Sequence, residues 1–191
     1  MSAERDSDPA LSVPPVEIVS RKRTFFTPRR VARLSIFTAL SAVGAMTKIP
    51  SPTGTVALDS CLGYFSAAAF GYGEGALIAA LGHLLTALTT GFPLGIPVHC
   101  YIALQMALWV MVFRFFTVRV HPFMGIVVAV LLNGIASAYL IIPFGGIGLA
   151  TALVVPLLVG SAANVIIANL AYTIVKRSNM IEPSYGHSQS L

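Results

Sequence analysis

The sequence predicts an all-α fold, a polytopic membrane bundle of about six transmembrane helices, on three observations. Of 191 residues, 56% are hydrophobic and only 10% are charged, whereas a soluble domain carries about 25% charged residues. The mean hydropathy is +0.83. Lys and Arg gather in two tails and one short loop, leaving apolar runs of the roughly 20 residues that a membrane-crossing helix needs.

The elements follow from where Pro and Gly interrupt those runs, since Pro cannot continue the helical ladder and Gly tolerates turn conformations. Helix 1 is expected over 31–49, ended by Pro50 and Pro52. A short helix 2 over 56–70 precedes Gly71-Tyr72-Gly73-Glu74-Gly75. Helix 3, 76–90, stops at Gly91-Phe92-Pro93, and helix 4 covers 98–116. Helix 5, 123–142, stops at Pro143 and Gly145-Gly146; helix 6 covers 150–175 with Pro156 inside it. No long polar insert separates them, so 31–177 is one membrane domain. Residues 1–30 are polar, contain Pro9, Pro14 and Pro15, and end in Arg21-Lys22-Arg23 and Arg29-Arg30. They read as a disordered basic cytoplasmic tail and not as a cleavable signal peptide. Residues 178–191 read as a flexible cytoplasmic tail. Cys61 and Cys100 sit in apolar context and read as free thiols.

Charge sets the expected orientation. Arg21, Lys22, Arg23, Arg29, Arg30 and Arg33 precede helix 1, Arg114 and Arg119 flank the helix 4–5 turn, and Lys176 and Arg177 follow helix 6. Six helices place all of these on one side, with Lys48 alone on the other. The positive-inside rule then puts both termini in the cytoplasm of a multi-pass cell-membrane protein. Ser35/Ala39 and Ser41/Ala45 stand four apart on helix 1, with Ala42 between. Such small residues let helices approach closely in lipid, either within this chain or against another membrane subunit.

Polar groups at membrane depth are costly and raise a functional question. They are Lys48, Asp59, Glu74, His83, His99, Gln105, Asn133, Asn164 and Asn169. Most fall toward the outer half, joined by the loops Pro50-Ser51-Pro52-Thr53-Gly54-Thr55 and Gly91-Phe92-Pro93-Leu94-Gly95-Ile96-Pro97. Together they suggest a polar pocket open to the outside and roofed by two loops. Plainer roles stand beside this. Lys48 and Asp59 pair at the interface, Glu74 favours a helix N-terminus, His83 is a bonded core histidine, and Asn133 and Asn164 bond between helices. No phosphate-loop or GxSxG motif occurs, and Asp59, His83 and His99 lack a metal-binding spacing. An enzyme, a cofactor, a resident metal and nucleic-acid binding are not expected; active transport would draw its energy from partners or an ion gradient.

The stretch Lys48-Ile49-Pro50-Ser51-Pro52-Thr53-Gly54-Thr55-Val56-Ala57-Leu58-Asp59-Ser60 resembles the first outer loop of S components of energy-coupling factor (ECF) transporters. Gly73-Glu74-Gly75-Ala76, Gly82-His83-Leu84-Leu85-Thr86-Ala87-Leu88 and Gly91-Phe92-Pro93-Leu94-Gly95 continue the resemblance, which covers about 31–177. Within the family the chain looks most like the α-ribazole (CblT-type) S components of cobalamin salvage. The resemblance implies a six-helix S-component fold that captures a vitamin or vitamin precursor outside. It also implies partners: a transmembrane T subunit, against which the S component topples, and two cytoplasmic ATPases. The family meets the T subunit through an Ala-x-x-x-Ala face on helix 1, here Ser35, Ala39, Ser41, Ala42 and Ala45.

For such a ligand, Tyr64, Phe92, Tyr101 and Trp109 are candidates to stack on a flat base, unless they are interfacial anchors. Asp59, His99, Gln105 and Asn133 are candidates to bond sugar hydroxyls. Lys48, Thr53 and His83 complete the expected binding set. The alternatives are a queuosine precursor, pantothenate or a thiamine precursor as ligand, an intramembrane enzyme using Asp59, His83 and His99, or a solitary secondary transporter.

Overall fold

The structure, a computed structural model, describes residues 26–51 and 54–178. Most of both expected tails, and Thr53, lie outside the described residues. Thr27 opens the first helix, its hydroxyl accepting from the Arg30 amide at 3.4 Å, and Pro28 pre-sets the first turn. Helix α1 is Pro28–Met46, so residues 28–30, expected in the tail, are helical.

Helix α1 ends earlier than the sequence suggested. Thr47 is extended, and Lys48–Ser51 (β1) pairs antiparallel with Gly54–Ala57 (β2), Ile49 opposite Val56. The β-branched Ile49, Thr55 and Val56 suit a strand, and the prolines deny the segment a helix. Val56 therefore does not begin helix 2. That helix, α2, is only Cys61–Ala69.

The remaining helices are α3, Tyr72–Thr89; α4, Ile96–Arg119; α5, Pro122–Leu140; and α6, Ile142–Arg177, broken at Gly146 by a φ of 72°. A π-turn, Leu132–Ala136, interrupts α5. Among the described residues the fold is thus a helical bundle with one small hairpin. By length and composition α4, α5 and α6 can each cross a membrane. Nine residues of α2 rise roughly 14 Å, about half of a ~30 Å hydrocarbon core.

Helix α2 lies at the centre, packed by α3, α4 and α6. The Tyr64 ring meets Phe113 edge-on at 5.1 Å, both fully buried. Helices α2 and α3 touch backbone to backbone: a Cβ placed on Gly75 would collide with Ala67, and one on Gly63 would come within 2.7 Å of the Ala79 Cβ.

The end of the bundle that carries the basic residues is knitted by them. Glu74, in the first turn of α3 and buried, pairs with Arg30 Nε at 3.1 Å and Arg33 Nη2 at 3.3 Å. Arg33 also lies 4.6 Å over the Phe70 ring. Arg114 is buried, donates to the carbonyls of Ala67 and Ala68, and stacks 5.1 Å over Tyr72.

The small residues of α1 divide between two faces. Ser41 and Ala45 are buried within the chain, and the Ser41 hydroxyl donates to the Asp59 carbonyl at 2.9 Å. Ser35 and Ala39 are exposed and Ala42 is half-buried. Six residues along a helix turn a side chain well away from its starting face, so one contact surface does not contain all five.

Gly75→Leu is expected to wedge α2 from α3 and to destabilise the protein by about 1–3 kcal/mol, in the range for overpacking. Gly148→Leu, where an added Cβ meets nothing within 4 Å, should leave the melting midpoint in detergent unchanged. Equal midpoints for both variants would contradict this packing.

Candidate functional site

Helix α2 fills one half of the bundle's length and leaves the other half open. A cavity of about 530 Å³ lies beyond its N-terminus, bordered by Ala57, Asp59 and Ser60, and closed by α3, α4, α5 and α6. The end of α1, the start of α2, the end of α3 and the start of α4 all meet there. It is the end opposite Arg30, Arg33, Arg119 and Lys176.

Asp59 stands in the link between β2 and α2 and does not open a helix. Its Oδ2 accepts from Thr86 Oγ1 at 2.5 Å. Thr86 follows His83 by three residues on α3, so both share one face. His83 Nε2 lies 3.2 Å from His99 Nδ1, which joins α3 to α4. His99 Nε2 is 3.5 Å from the Leu94 amide and accepts from it. In the neutral pair His99 therefore carries its proton on Nδ1, donates to His83 Nε2, and leaves the His83 Nδ1–H as a donor. Leu94 belongs to a tight loop with Gly91 at φ 76°, Phe92 at φ 52° and Gly95 at φ 81°. A left-handed Phe is unusual. Here its ring abuts the His99 imidazole edge-on at 5.6 Å.

Asn164 holds the floor. Its Oδ1 accepts from the Cys61 amide at 2.8 Å, the first N–H of α2, and its Nδ2 donates to Ala57 O at 3.0 Å and Gly160 O at 2.9 Å. On the α5 side, Trp109 Nε1 donates to Ser137 Oγ and Asn133 Nδ2 to Ser161 Oγ, each at 2.8 Å. Asn133 lies in the π-turn, a feature often found at functional sites. Gln105 differs from these: it is 4% exposed, and neither its Oε1 nor its Nε2 has a partner.

The cavity thus gathers Asp59, His83, His99, Gln105 and Asn133 from the expected set. Phe92 backs onto His99 without lining it. Tyr101 packs on Phe144 at 5.4 Å, away from the cavity wall. Tyr64 and Trp109 are committed to the core and to Ser137. Among the described residues no Phe, Tyr or Trp lines the cavity; its aromatic surfaces are the two imidazoles. The structure describes the backbone of Lys48, at the start of β1, and Thr53 lies outside the described residues. Thr86, Ser137 and Ser161 also line the cavity and were not singled out from the sequence. Thr86 was within reach of a helical-spacing argument from His83; the other two required the packing of α5 on α6. Among the described residues Asp59, His83 and His99 do not form a three-ligand metal group.

The family model described as "ECF transporter, substrate-specific component" matches residues 29–176. The chain belongs to this family. A solved structure described as "Structure and mechanism of the S component of a bacterial ECF transporter" has the same fold. It is 17% identical, with a TM-score of 0.57 over 78% of this chain and 94% of that one. No curated protein matches significantly in sequence. S components are membrane proteins that bind small ligands and work with a T subunit and ATPases; they are transporter subunits and not enzymes. In this S component, the cavity volume falls within the roughly 300–1,000 Å³ of small-molecule sites.

Removing the Asn164 amide frees the first N–H of α2 and the Ala57 carbonyl together. Asn164→Ala should therefore cost about 1–3 kcal/mol of stability, read as a lowered melting midpoint. A midpoint equal to wild type would show that Asn164 does not hold α2.

Proposed function

We propose that the protein is the ligand-capturing subunit of an ECF importer and that its ligand is α-ribazole, taken up for cobalamin salvage. The observation that carries this reading is a cavity of small-molecule size at one end of the bundle, bordered about equally by apolar side chains and by polar ones that can bond a ligand. The sequence segments 48–60 and 82–95, which resemble the α-ribazole S components, supply its border from Asp59 to Leu94. In this reading the flat base lies on the His83 and His99 imidazoles and against Ile102 and Met106. The ribose reaches Asp59, Thr86 and Gln105.

Charge speaks against an anionic ligand. Asp59 brings a carboxylate to the cavity, and among the described residues no Lys or Arg lines it. An anionic ligand such as pantothenate would meet Asp59 without a described counter-charge. The basic residues sit at the opposite end, so the positive-inside rule turns that end and both termini to the cytoplasm and the cavity to the outside. The exposed Ser35/Ala39 face of α1 is then the docking surface for the T subunit, and two ATPases drive the cycle from the cytoplasm.

Titration calorimetry of the purified protein should give saturable binding of α-ribazole and none of pantothenate or thiamine. Asp59→Ala and His99→Ala should each weaken it by about tenfold, the worth of one good hydrogen bond. Capture of another vitamin in place of α-ribazole would keep the transporter class and discard the ligand.

A further inference from the structure

Gln105 is the anomaly of the cavity. Buried side-chain polar atoms in native proteins have partners in the large majority of cases, and an exception calls for an explanation. Around the same cavity Asn133, Ser161 and Asn164 are all bonded to other parts of the chain. Gln105 is as deeply buried as they are, yet both atoms of its amide are unpartnered. Its cavity-lining neighbours on α4, Ile102 and Met106, offer it no hydrogen bond.

A terminal amide presents one acceptor and one donor group side by side. Its complement is a group that offers a donor and an acceptor at matching spacing. Two hydroxyls on adjacent carbons do this, because each can donate or accept: one donates to Oε1 while its neighbour accepts from Nε2. We infer that Gln105 is the specificity-determining residue of this site and that it reads a vicinal diol of the ligand with both atoms of its amide. The inference rests on the proposed nucleoside ligand and selects one residue among the polar groups around it. Asn133 is set apart from this role because both atoms of its amide have partners, Nδ2 donating to Ser161 and Oδ1 accepting from Ser137. Asp59 differs in that one of its two carboxylate oxygens, Oδ2, is already taken by the Thr86 hydroxyl.

The test uses Gln105→Met, which keeps the length of the side chain and removes both polar atoms, with three probes: α-ribazole, its 2′-deoxy analogue and the free dimethylbenzimidazole base. Wild type should bind α-ribazole at least tenfold more tightly than the deoxy analogue. In Gln105→Met that preference should fall to about unity while binding of the free base is unchanged. The ligand-free variant should melt no lower than wild type, since no internal bond is lost. Preserved discrimination in Gln105→Met, or a lowered melting midpoint with equal weakening toward all three probes, would overturn the inference while leaving the uptake function standing. Wild type that binds none of the three would remove the proposed ligand, and the diol assignment with it.

Discussion

The structure depends on how a nine-residue helix is held at both ends inside a bundle. A helix leaves several N–H groups unpaired at its start and several carbonyls unpaired at its end, and away from water these must find partners. At the start of α2 the partner is Asn164, reaching from the middle of α6. At its end the partner is Arg114, which takes the carbonyls of Ala67 and Ala68. The two side chains stop α2 short of the full length of the bundle. The unfilled length is the cavity, and Asn164 serves both as its floor and as the cap of the helix beneath it.

The basic end has a second role besides topology. Arg30 and Arg33 converge on one buried carboxylate, Glu74, and so tie the start of α1 to the start of α3. Removing one partner of a buried pair costs far more than the pair is worth over an apolar replacement. These charges therefore fix which helices neighbour each other at that end.

Much of the fold was legible in the sequence because Pro and Gly cut the apolar runs cleanly. Gly91 and Pro93 end α3, and Pro143 with Gly145 and Gly146 marks the break between α5 and α6. The hairpin was not legible, because Ile49 and Val56 are apolar residues that fit a membrane helix equally well on hydropathy. That one misassignment moved Asp59 into a helix and lengthened α2. In the site, six of the nine polar residues read at membrane depth border the cavity, Asp59, His83, His99, Gln105, Asn133 and Asn164, whereas Glu74 pairs with Arg30 and Arg33 at the other end. Which of them are occupied internally was not legible: Asn133 and Gln105 look alike in sequence, and only packing gives one a partner. The aromatic residues misled for the same reason. Tyr64 and Trp109 have the chemistry to stack on a ligand, but their helix faces turn them into the core and toward Ser137.

A structure determined with α-ribazole present tests the central claim most directly. The ligand is expected in the cavity beyond the N-terminus of α2, between His83, His99 and Gln105, with Asn164 still bonded to the Cys61 amide. A ligand bound at the basic end, or a cavity closed by a longer α2 with no ligand inside, would contradict it.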